Sequence, residues 1–138
     1  MSLTTYIGSN VKLPIMENND RRDERIFIGE SFSERQCIVD VKHHQFSTKY
    51  AYEVTYDWWG IVLSPFEDIQ MYEKCIKALN ELCHIMDHYL QKGEYFELYS
   101  CWVGEESERR YMDLTLPLHN FYEKDMKILE RTLVTFKK

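Results

Sequence analysis

The spacing of apolar residues changes along the chain, and each change marks an element. Residues 4–7 and 11–15 are short aromatic and β-branched runs on either side of Gly8-Ser9-Asn10, and they predict strands. Residues 26–28 predict another. Cys37, Val39 and Val41 alternate with their neighbours and predict a strand over 37–41, which makes His43-His44-Gln45 a hairpin connection. The longest alternation runs over 46–56. Phe46, Thr48, Tyr50, Tyr52, Val54 and Tyr56 fall on one side, and Ser47, Lys49, Ala51, Glu53 and Thr55 on the other. That is the period of a strand with one face on a core. Residues 61–63, after Trp58-Trp59-Gly60, predict a short strand.

The period then becomes helical. Ile69, Tyr72, Ile76, Leu79, Cys83, Met86 and Leu90 recur at alternating steps of three and four, a continuous stripe. Ser64-Pro65-Phe66-Glu67 has the composition of a helix start: a capping hydroxyl, a proline suited to the first helical position, and a glutamate to close the capping box. Gly93 is the matching stop, because glycine accepts the left-handed conformation that follows a last turn. These signals predict a helix over about 65–92. Beside its stripe lies a second apolar set, Met71, Cys75, Ala78, Leu82, Ile85 and Tyr89. The two sets span roughly 200°, about twice an ordinary surface stripe. A sheet face alone does not cover that arc, so either the C-terminal segment or a second subunit must.

Residues 95–103 read as a strand that is aromatic on both faces, and 104–110 as a polar loop. Residues 111–116 read as a strand with Met112, Leu114 and Leu116 on one side. Residues 126–136 begin with helix formers and end as a strand sequence, so the strand is assigned to 132–136. The expected fold is α+β: a mainly antiparallel sheet, ending in a C-terminal meander, with one long helix packed on it. It forms a single domain over 1–138.

Composition sharpens this picture in a few places. Aromatics make up 14% of the 138 residues, which reinforces the expectation of a substantial sheet. The formal net charge of −6 argues against nucleic acid and toward a basic partner. Arg21-Arg22, Arg109-Arg110 and Lys137-Lys138 are the basic pairs, each beside carboxylates or at the chain's end. The charge-dense stretch 17–25 is expected to be an exposed loop. No apolar run approaches the ~20 residues of a membrane span. The first ten residues lack a basic segment followed by an apolar one, so a cytoplasmic location is expected. Cys37, Cys75, Cys83 and Cys101 form no Cys-x-x-Cys pair and sit among apolar residues, as reduced, buried thiols would.

Candidate chemistry is sparse. His84 and His88 stand four apart beside Asp87, a spacing with which a helix can present two metal ligands. A third ligand would have to come from His43, His44, His119 or a carboxylate. Ile85 occupies the place where a zinc-protease helix carries its glutamate. The pair is therefore expected to be solvated, and no metal or other cofactor is expected. His43 and His44, with Asp40 and Glu53 nearby, would diverge on a hairpin rather than converge on a proton. There is no phosphate-binding glycine loop and no Gly-x-Ser-x-Gly.

What remains is the segment 94–108, which carries five Glu and no Lys or Arg. Glu105, Glu106 and Glu108, with Tyr99 and Trp102, are the expected partner-binding surface. The reading is a non-catalytic protein-binding or inhibitory module. By size, charge and fold class alone it is similar to bacterial immunity proteins, with no residue motif carrying the likeness. Two alternatives stand beside it. One is a small enzyme or ligand-binding domain with a pocket between helix and sheet. The other is a homodimer formed through the long helix. A concave pocket would favour the first, and an exposed second helix stripe the other.

Overall fold

A computed structural model describes residues 2–15, 26–30, 34–56, 59–66 and 68–138. The expected loop 17–25, Trp58 and Glu67 lie outside the described residues. The elements are β1 (Leu3–Ser9), β2 (Ile26–Gly29), α1 (Arg35–His44), β3 (Tyr50–Tyr56), α2 (Ile69–Tyr89), β4 (Tyr95–Trp102), β5 (Met112–Pro117) and β6 (Thr132–Lys137). The strands form one six-stranded sheet in the order β2-β3-β1-β4-β6-β5. β1 lies at its middle, with Thr5 opposite Val54 of β3 on one side and Ser100 of β4 on the other, both antiparallel.

The central strands are buried on both faces, which explains why β4 is aromatic on both, while β5 at the edge is largely exposed. Ile7, Val54, Leu98 and Phe136 point into the larger core beneath α2. Tyr6, Tyr99, Cys101 and Leu133 point into a smaller one beneath α1. A strand with a core on each side loses the polar alternation that otherwise marks its solvent face.

α2 is the long helix read from the periodicity, with a different start. Its cap is Asp68, whose Oδ1 accepts from the backbone N–H of Gln70 at 2.9 Å and of Met71 at 3.4 Å, so the cap lies four residues after Ser64. Its end differs too: the helix stops at Tyr89 with Leu90 as an extended C-cap, and Gly93, at φ 92°, lies in the turn that follows, where the Glu94 N–H donates to the Gln91 carbonyl at 2.9 Å. The buried line, Tyr72, Cys75, Ala78, Leu79, Leu82, Cys83 and Met86, draws on both apolar sets. Ile69, the first member of the main stripe, is left 67% exposed. The wide arc is covered from within the chain. Leu118, Phe121 and Ile128 join the same core, and the Tyr72 hydroxyl donates to the Met126 carbonyl at 2.9 Å. Leu82 is fully buried without a second subunit.

Several expectations fail for identifiable reasons. Residues 37–41 are helical, not a strand. Cys37 and Val41, four apart, turn to the sheet, while Val39 is 53% exposed. Cys37 and Val41, four apart, fit a helix as well as a strand, whereas Val39 fits only the strand period, and the need to cover Tyr6 and Tyr99 selects the helix. His43 and His44 are its last turn, where they complement the negative end of the dipole. β3 consequently starts at Tyr50 rather than Phe46. Residues 11–15 form no strand, and 61–63 contribute a bridge between Leu63 and Ile128. The C-terminal part is not a meander: β5 runs parallel to β6, and β6 inserts between β4 and β5. The long connection 118–131 makes that crossover feasible. It contains no helix, and β6 covers the strand expected at 132–136.

Candidate functional site

An open cleft on the described surface arises from a mismatch in strand length. β3 has seven residues and β2 four. β2 pairs only from Glu53 to Tyr56, so Tyr50, Ala51 and Tyr52 run past its end. α1 flanks this stretch on one side. On the other, the chain after β1 is drawn against β3 by side-chain anchors. The Tyr52 hydroxyl accepts from the Leu13 N–H at 2.8 Å, and Asn10 Oδ1 from the Lys49 N–H at 3.0 Å. Between the walls is an open cleft of about 860 Å3.

The helix wall follows from the same geometry that buries Cys37 and Val41. Arg35, Ile38, Val39 and Lys42 lie on the adjoining face, at steps of three, four and seven, and line the cleft. Lys12, Leu13 and Ile15 form the opposite wall, with Glu30 the single carboxylate among the described lining residues. Among the described residues, Lys12, Arg35 and Lys42 take part in no ion pair. Thr48, at the floor, is buried and its hydroxyl has no hydrogen-bond partner. The turn carrying Thr48 is held by Glu97, a buried carboxylate that accepts from the N–H groups of Ser47 and Thr48, each at 3.0 Å. The cleft thus combines an apolar lining, unpaired cations and a rigid floor.

The acidic C-terminal loop is built differently from its sequence reading. Glu106 is only 2% exposed. It accepts from the Tyr6 hydroxyl at 2.9 Å and the Gly104 N–H at 2.9 Å, and the Cys101 thiol points to it at 3.7 Å. Gln45 Nε2 donates to the carbonyls of Glu106 and Glu108, at 3.1 and 2.8 Å, and ties the loop to the end of α1. Burial, then the adjacent Glu106 charge, pushes the Tyr6 hydroxyl well above the ordinary phenol range, so it remains a donor. Tyr99 is fully buried, and burial pushes its hydroxyl up to about 12. Two of the five residues expected on a partner surface, Glu106 and Tyr99, are therefore interior. Glu105 and Trp102 are half-buried, and Glu108 is exposed. Nothing local in a run of glutamates distinguishes the one that turns inward, because its partner Tyr6 lies at the opposite end of the sequence.

The remaining candidates stay apart. His84 and His88 are exposed on α2, and among the described residues no group of three His, Cys, Asp or Glu side chains is placed to hold a metal ion. The His43 and His44 rings meet edge to face at 4.9 Å. Asp87 is engaged instead with the C-terminal part of the chain. Lys138 Nζ lies 2.8 Å and His119 Nε2 3.2 Å from its Oδ1, and the Lys138 contact holds the carboxyl below its usual range. All four cysteines are buried and free. Burial pushes the Cys83 thiol up to about 12 and raises the other three as well, the reverse of what an activated nucleophile needs. The chain matches no protein-family model, no curated protein and no solved structure.

Proposed function

We propose that the chain is a non-catalytic binding module and that its working face is the cleft between α1 and the overhanging start of β3. The observation that carries this reading is the cleft itself, about 860 Å3 with unpaired cations on both walls. Its volume falls in the range of small-molecule sites, about 300–1,000 Å3. The raised thiols favour binding over nucleophilic catalysis.

The test is a fragment screen read by amide chemical shifts. Binders should perturb α1 and residues 48–52. Val39→Trp, which fills the cleft from an exposed helix position, should abolish binding while leaving the melting temperature in place. Binders that perturb only residues 104–110, or that ignore Val39→Trp, would refute the reading.

A second reading keeps the protein partner. Gln45 and Tyr6 pin the 104–110 loop to the core, so Glu105, Glu108 and Trp102 are presented without a large ordering cost. Its test is Glu105→Lys with Glu108→Lys, which should slow association with a basic partner at low salt and not at high salt.

A further inference from the structure

We infer that the ligand of the cleft is a small organic anion: a carboxylate, sulfonate or phosphate carried on an apolar body. The inference rests on the cleft being the binding face, and goes on to name what fits there. Arg35 and Lys42 are two helical turns apart on one face of α1, with Ile38 and Val39 between them, so that wall reads cation, apolar, cation. Lys12 faces it across the cleft, and Glu30 is the single carboxylate among the described lining residues. Positive charge is thereby concentrated in one concavity of a chain whose formal net charge is −6. Like charges brought together beside low-dielectric walls repel one another, and an anion held between them removes that repulsion.

The apolar part of the lining sets the rest of the ligand. Val39 and Ile15 are about half exposed, at 53% and 50%, and a bare inorganic anion would leave both in water. A neutral apolar molecule would cover them but would strip water from cations that gain no partner, which is unfavourable. A molecule with one anionic group and a ring-sized apolar body satisfies both demands.

The experiment compares two probes of one shape. Anilinonaphthalene sulfonate carries the anion, and N-phenylnaphthylamine has the same rings without it. Binding is followed by fluorescence titration and located by amide chemical shifts. The sulfonate should bind with one-to-one stoichiometry and shift residues of α1 and 48–52. The neutral probe should bind at least about tenfold more weakly, and the double variant Arg35→Gln, Lys42→Gln should weaken the sulfonate by about tenfold. Both positions are exposed, so the fold should survive; Lys12→Gln, on the other wall, is the independent check. If both probes bind the cleft equally, the anion requirement is wrong while the cleft remains the binding face. If inorganic phosphate displaces the sulfonate at matching affinity, the apolar body is wrong. If neither probe shifts α1, this inference and the cleft reading both fall.

Discussion

Glu106 is the residue whose structural role departs furthest from its sequence reading, and removing it should be costly. In Glu106→Ala the Tyr6 hydroxyl, on a fully buried side chain, loses its acceptor, and the Gly104 N–H loses another. Each buried polar group left without a partner costs about 1–3 kcal/mol. The pair, with the small void left behind, should cost about 3–5 kcal/mol, the size expected when one side of a buried polar network is deleted. For a chain of this length 1 kcal/mol moves the melting temperature by about 3 °C, so a drop of about 10–15 °C is expected. Glu106→Gln keeps the shape and one acceptor oxygen and should lose about 1–2 kcal/mol of charge assistance. The assay is urea unfolding at neutral pH, reading the midpoint with the slope unchanged. A double-mutant cycle with Tyr6→Phe isolates the contact and should return a coupling of about 1–3 kcal/mol. An unchanged midpoint in Glu106→Ala, or a cycle that is additive, would falsify the inward latch. Glu108→Lys, on the surface of the same loop, should stay within about 0.5 kcal/mol of wild type.

The helix start and the acid limb give two further tests. Asp68→Ala should cost about 1 kcal/mol in the denaturation midpoint because Asp68 accepts from the first-turn amides, while Ser64→Ala should leave the midpoint in place; the opposite pattern would move the cap back to Ser64. Asp87 has a folded pKa held below its unfolded value by Lys138 and, more weakly, His119, so its stabilisation is present above the ordinary carboxylate pKa of about 3.9 and is lost as pH falls through the folded value. The melting-temperature gap between wild type and Asp87→Asn should therefore be full at neutral pH and close in acid; a gap independent of pH would contradict the ion pair.

Much of the fold could be read locally. The long helix, the glycine turn after it, the burial of the four cysteines and the last strand all follow from signals within a few residues of each position. A 3.6-residue stripe, a glycine at positive φ and a β-branched run each bias the backbone directly. The doubled apolar arc on α2 also foretold that something must cover Leu82. Where two local readings tied, the chain alone gave no decision. Cys37 and Val41 suit a strand or a helix, and the tie was broken by the apolar sheet face of Tyr6, Tyr99 and Cys101, which α1 covers.

The candidate site was less legible. Its cations come from two separate places in the sequence, Lys12 after β1 and Arg35 and Lys42 on α1, with Thr48 contributed from before β3. None is part of a motif, and their common address depends on β2 ending short of β3. Glu106 shows the same limit from the other side, because whether a carboxylate faces water or a tyrosine is set by what the fold brings against it. Sequence determined what each segment can form, since propensity and periodicity act over a few residues. Tertiary structure alone decided which face is covered, where a cleft opens and which charges go unpaired, because those depend on contacts between segments far apart in the chain.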